Sequence, residues 1–167
     1  LGTFNGDYDF SKVRKLSPSD QVAGNYFGYG VDTDVKHAII GTWGDQARYA
    51  YIFDVTTGTQ LHRLTANDAF DGQYFGHDVA IHGNYAVVGA HRDNEGGAHA
   101  GAAYVFNVTT GQQVHRLKAS DAGSSDNYGM SVDLDDTHVI VGSYLNDING
   151  EIDEGCAYIY DLVTGNQ

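Results

Sequence analysis

The chain has little of what staples or interrupts a fold: one cysteine (Cys156), one proline (Pro18), one methionine and one tryptophan. A lone cysteine rules out an internal disulfide framework, and its place in an apolar run reads as a small buried hydrophobe. Cations are also scarce, with nine Lys and Arg against 22 Asp and Glu and a net charge of −13. Binding phosphates needs clustered cations, so the balance argues against nucleic acid and against docking on an anionic membrane. It suits solubility, divalent cations or a basic partner, and an acidic solvated surface is the plainest reading. No apolar run approaches a membrane span and no signal-peptide pattern is present. The chain begins at Leu1 rather than Met, which reads as a mature or truncated product.

Glycine and tyrosine are abundant instead, 22 and 12 in 167 residues. Many glycines beside a single proline suit frequent tight turns between short strands. Their positions recur. Phe27-Gly28, Phe75-Gly76 and Tyr128-Gly129 open three units roughly 50 residues apart, and 13 residues after each glycine comes another: Gly41, Gly89 and Gly142. Each unit then carries an aromatic run ending in a Thr-Gly turn, at 51–58, 104–111 and 158–165. A period of this length means one supersecondary unit copied and stacked.

The second unit is the clearest. Residues 74–81 alternate as a half-buried strand would, and His82-Gly83-Asn84 supplies a turn. Residues 85–90 form an apolar run suited to a strand buried on both faces. A polar loop, 91–98, precedes a third strand at 102–108, and 113–119 alternates again as an outermost fourth. The first unit repeats this at 26–35, 37–42, 49–55 and 60–66; the third runs from 128 to 165 and lacks its fourth strand. Four short antiparallel strands per unit, with no helical periodicity, predict an all-β fold of propeller blades.

The ends are offset: residues 13–20 align with 114–121, so the chain starts with a fourth strand and ends with a third. The expected organisation is a fourth strand of a preceding or partner blade in 1–23, blade 1 in 24–71, blade 2 in 72–124 and an incomplete blade 3 in 125–167. Three blades are fewer than a propeller usually needs. Either further blades exist elsewhere, or one chain's N-terminal strand completes another's last blade.

Tyr74-Phe75-Gly76 followed by Val79-Ala80-Ile81, 86–90 and 102–106 resembles the FG-GAP repeat of integrin α-subunit propellers and of bacterial and algal surface proteins. The endings at 64–68 and 117–121 are similar to its short variant. The resemblance implies a β-propeller and a non-catalytic role in extracellular adhesion or structural assembly. Its relatives often hold calcium between the first two strands, but the corresponding hairpins, at 34–36, 82–84 and 135–137, lack the oxygen ligands calcium requires.

A candidate calcium loop lies elsewhere, in Asp147, Asn149, Glu151 and Asp153, whose oxygen side chains alternate around Gly150. A weaker set is Asp93, Asn94 and Glu95, in a loop where His91 and His99 could also share a metal. Asn107-Val108-Thr109 is a glycosylation sequon. Asp20, Asp68 and Asp121 read as turn-bracing carboxylates, and His62 and His115 as surface pairs. Tyrosines at the unit starts, with Tyr144, suit packing between blades, or else stacking on sugars or a protein partner. No nucleophile–base motif or phosphate loop is present. The expected function is therefore structural or adhesive self-association. The alternatives are a calcium-assisted glycan-binding lectin and a polysaccharide-active enzyme using acids such as Asp93, Glu95 or Asp153.

Overall fold

The computed structural model describes residues 14–44, 48–147 and 151–167. Eleven strands form three antiparallel sheets and no helix occurs among them. Blade 1 comprises β1 (Val31–Thr33), β2 (His37–Gly41), β3 (Ala50–Asp54) and β4 (Gln60–Leu64). Blade 2 comprises β5 (Val79–His82), β6 (Tyr85–Ala90), β7 (Ala102–Asn107) and β8 (Gln113–Leu117). Blade 3 has β9 (Ser131–Leu134), β10 (His138–Ser143) and β11 (Cys156–Asp161). Strands follow one another across each sheet in chain order, as expected of a propeller blade.

Each first strand starts later than the alternation predicts. The aromatic-glycine element ahead of it is a turn, because two of its residues take positive φ: Tyr26 and Gly28, Tyr74 and Gly76, Asn127 and Gly129. Left-handed backbone cannot continue a strand ladder. The turn is pinned inside its own blade, with the N–H of Gly76 donating to the carbonyl of Gly89 at 3.0 Å, and Gly28 to Gly41 and Gly129 to Gly142 in the same way.

The central blade is covered on both sides. On one, Val88, Tyr104 and Phe106 pack with Phe75 against Ile39, Ile52 and Leu64 of blade 1. On the other, Val87, Val105 and Leu117 pack against Tyr128, Val141, Tyr158 and Tyr160 of blade 3. Each large side chain buried here contributes about 2–3 kcal/mol. The backbones come closer still. A side chain at Gly41 would overlap the carbonyl of Gly76, and one at Gly89 the carbonyl of Gly129. From the opposite side, a Cβ at Gly76 would lie 2.8 Å from the carbonyl oxygen of Tyr49. The turns of blades 2 and 3 are thus each wedged between the second and third strands of the blade before.

Blade 3 has no such neighbour on its far side among the described residues. Its β10 and β11 alternate buried and exposed, and Ile140 and Ile159 are 41% and 56% exposed. They border a shallow depression of about 310 Å³ with Asp133, Leu134, Asp135 and His138. At the other end, Ile40, Tyr51 and Phe53 of blade 1 are covered by Leu16, Phe27, Ala38 and Tyr49.

Residues 14–20 form no strand, contrary to the expected ladder, and residues 1–13 of that expectation lie outside the described residues. The segment nevertheless holds a fourth strand's place. Arg14 lies over Gly58 as His62 lies over Gly111 and His115 over Gly165. The N–H of Ser19 donates to Gln60 Oε1 and that of Asn67 to Gln113 Oε1, both at 2.9 Å. With no third strand beside it, the segment keeps the contacts to the next blade and lacks the ladder.

Two substitutions at equivalent positions test the wedge. Gly89→Ala is expected to cost about 3 kcal/mol or more in urea unfolding, because the methyl meets backbone. Gly142→Ala is expected to cost under about 1 kcal/mol, because it meets only the movable Ser131 hydroxyl.

Candidate functional site

Polar side chains follow the same period as the strands, and most of them join one blade to the next. Asp20 accepts from Arg63 Nη1 at 2.6 Å, and Asp68 pairs with Arg116 Nε at 2.9 Å. Asp121 accepts from the hydroxyl of Tyr158. These carboxylates therefore reach tyrosine and arginine side chains of the following blade, where sequence reasoning expected turn amides. His62 Nε2 donates to the carbonyl of Thr109 at 3.2 Å and His115 Nε2 to that of Val163 at 3.1 Å. The two histidines are therefore inter-blade contacts and not surface pairs. On the inner strands, Asp32 accepts from the N–H of Ile81 and Asp78 from that of Val132, both at 2.8 Å.

The Asp93, Asn94 and Glu95 set is committed to protein partners. Asp93, 2% exposed, accepts from Arg116 Nη2 at 2.7 Å and from the N–H of Glu95 through Oδ1. Its Oδ2 accepts from Gln73 Nε2 at 2.6 Å and from the Tyr104 hydroxyl at 3.0 Å. Asn94 Oδ1 accepts from the N–H of His99. Glu95 pairs with Arg116 and Lys118, whose hydrogen bond and charge hold its carboxyl below the usual carboxylate range. The guanidinium of Arg116 thus occupies the position a cation would take. In blade 3 the buried pair recurs with its groups exchanged: Asn146 Nδ2 donates to Asp126 Oδ2 at 3.1 Å. His91 turns inward, away from exposed His99, and packs on Tyr74 and His77.

In the other candidate loop, Asp147 Oδ1 accepts from the N–H of Asp153, a residue in the left-handed region (φ 60°). Asp147, Glu151 and Asp153 are exposed, and Asn149 lies outside the described residues. No group of three or more His, Cys, Asp or Glu side chains is placed to hold a metal among the described residues. Asn107 Oδ1 accepts from the backbone and hydroxyl of Thr110, the role Asp54 plays for Thr57 and Asp161 for Thr164. The sequon therefore coincides with the Asx turn that ends every third strand. Cys156 is half-buried at the start of β11.

The tyrosines divide between two roles. Tyr51, Tyr104, Tyr128, Tyr158 and Tyr160 are buried in or beside the seams. Tyr26 and Tyr29 are 63% and 53% exposed and belong to an aromatic strip crossing from blade 1 to blade 2. Trp43 stacks with Tyr29 (centroids 5.6 Å apart, planes at 18°) and is tilted against Tyr26 and Tyr74. Tyr29 meets His77 at 5.1 Å, and His77 meets His91 at 4.5 Å. The signal in the sequence was positional: Tyr29 and His77 follow the aromatic-glycine pairs at one offset, and Trp43 and His91 share another.

Burial in the strip, helped by the nearby charge of His77 and Arg92, lowers the pKa of His91 to about 4. The unfolded chain then binds its proton first. Stability is expected to fall by about 2 kcal/mol as pH drops from 6.5 towards 4, and to level off below that. His91→Phe should flatten this part of the profile in thermal unfolding across pH. Asp93→Asn, which leaves Arg116 short of its buried partner, should cost about 3 kcal/mol at neutral pH.

The periodic geometry agrees with comparisons to known proteins. No curated protein sequence matches the chain. Among solved structures it is similar to Kuenenia stuttgartiensis hydrazine synthase, with a TM-score of 0.52 and 14% identity. That similarity covers 82% of this chain but 34% of the other, and at this identity it concerns the fold alone. The FG-GAP repeat matches three times, over residues 10–53, 59–106 and 112–160. Three registered matches, the second and third each running from the fourth strand of one blade into the third strand of the next, place the chain in the FG-GAP repeat family.

Proposed function

We propose that this chain is a non-catalytic structural or adhesion module, extracellular or at a cell surface, that works by stacking its outer sheets against further blades of its own kind. The observation carrying this reading is the wedge that is left half-made at both ends. Gly142 occupies the position that in blades 1 and 2 receives the next turn, yet a Cβ there would meet only Ser131. Gly28 occupies the position that in blades 2 and 3 enters the preceding sheet, yet a Cβ there would meet nothing within 4 Å among the described residues.

The surfaces around the two glycines match. Blade 3 offers Ile140 and Ile159, which correspond to the seam residues Val87 and Val105. Blade 1 offers half-buried Phe27, the counterpart of Phe75, which with Leu16 covers Tyr51 and Phe53, the counterparts of Tyr104 and Phe106. The edge of β11 invites a fourth strand, and residues 14–20 are already held in such a strand's position against blade 1. A head-to-tail arrangement of copies fills both faces with the contacts the internal seams use. The non-catalytic part of the reading is supported by the buried acids, which are committed to Arg, Tyr, Gln and Asn. The extracellular part is supported by the usual setting of FG-GAP repeats. No helix among the described residues is long and apolar enough to cross a membrane.

Light scattering on a sizing column tests this. The unmodified chain should run as a concentration-dependent multiple of 18.0 kDa. Ile159→Glu or Gly142→Leu should return it to the single-chain mass with an unchanged strand spectrum. A single-chain mass for the unmodified protein at every concentration would rule out stacking between copies.

A further inference from the structure

We infer that the aromatic strip formed by Tyr26, Tyr29, Trp43, Tyr74, His77 and His91 is a carbohydrate-binding site that stacks sugar rings on its exposed tyrosines. The rings brace one another in consecutive contacts of 4.5–5.8 Å, so little side-chain freedom remains to be lost on binding. Tyr26 and Tyr29 remain more than half exposed despite these contacts. None of the six side chains is aliphatic, and each combines a flat apolar face with a polar atom. A sugar offers the matching combination of C–H faces and hydroxyls.

The strip's charge and size narrow the choice of ligand. Burial lowers the pKa of both His77 and His91, so the strip is uncharged at neutral pH. The guanidinium of Arg92 lies 4.5 Å from the ring centre of Tyr74 and takes the place a cationic ligand would seek. A neutral polyhydroxylated ligand avoids that conflict. Two tyrosines exposed to this degree offer about 250 Å² together. A stable protein partner needs about 800 Å². The strip is therefore of a size for a few sugar units. Stacking between copies would bring a neighbouring blade against Tyr26, as Tyr74 sits against Trp43, so the site is tested at concentrations where the chain runs at its single-chain mass.

Trp43 is the chain's single tryptophan and lies at the centre of the strip, so its fluorescence reports on the site alone. The unmodified chain is titrated with cellohexaose, chitohexaose, xylohexaose and mannohexaose into the millimolar range. At least one should give a saturable change, and Tyr29→Ala should weaken it about tenfold. Val114→Ala, at an exposed position of β8 outside the strip, should leave the affinity unaltered. If Tyr29→Ala lacks native unfolding behaviour, Tyr29→Ser and Tyr26→Ala replace it. The absence of a saturable change with all four sugars would overturn the proposal. So would a change that survives both tyrosine substitutions, or one produced only by raising protein concentration, which would mark the strip as a contact between copies.

Discussion

Where the turn at Phe75-Gly76 presses on β2 and β3, the approach of one backbone to another sets the spacing of everything around it. Gly41 and Gly76 have no side chains, so the turn carbonyl sits where a Cβ would otherwise stand. At that separation Tyr104 and Phe106 reach across to Ile39 and Ile52, and the carboxylate of Asp68 reaches Arg116. A larger residue in either position would open the seam and lengthen each of these contacts together. The apolar burial supplies most of the energy, and the glycine contact makes the geometry recur.

Much of this was legible in the sequence. The 13-residue interval between glycines and the Thr-Gly turns gave the blades and the order of their strands, because both depend on local backbone preference. The first-strand starts were not legible. Residues 74–78 alternate as a strand would, but the bond from the N–H of Gly76 to the carbonyl of Gly89, 13 residues on, goes with a turn at positive φ, and Tyr26 and Gly28 turn in the same way with no blade before them among the described residues. The roles of the acids were hidden for a related reason. Asp93 and Glu95 look like oxygen ligands in a loop, while the arginine that engages both lies more than 20 residues away on β8. Pairing across a seam depends on register between blades, and a single sequence carries no direct record of that.

The same separation between local and long-range information explains the two kinds of tyrosine. Those on third strands are buried by the adjoining blade. Those at the turns project from the end of the wedge, where the seam closes and the rings have one another as neighbours. A module made this way can hold its blades with one set of aromatics and present another to its surroundings, and the two can change independently.

The exchanged amide and carboxylate bear on how such a chain grows. In blade 2 the amide, Gln73, precedes the aromatic-glycine turn and the acid, Asp93, follows β6; in blade 3 the acid, Asp126, comes first and the amide, Asn146, second. A crossover inside the repeat that joined the first half of blade 3 to the second half of blade 2 would bury Asp126 against Asp93, two carboxylates with too few protons between them. The reciprocal product would bury Gln73 against Asn146, with no acid at either position. Recombination between whole blades preserves both pairs. The two halves on either side of β6, or of β10, are therefore tied to each other by one buried polar pair, and an exchange that falls outside that interval leaves it whole.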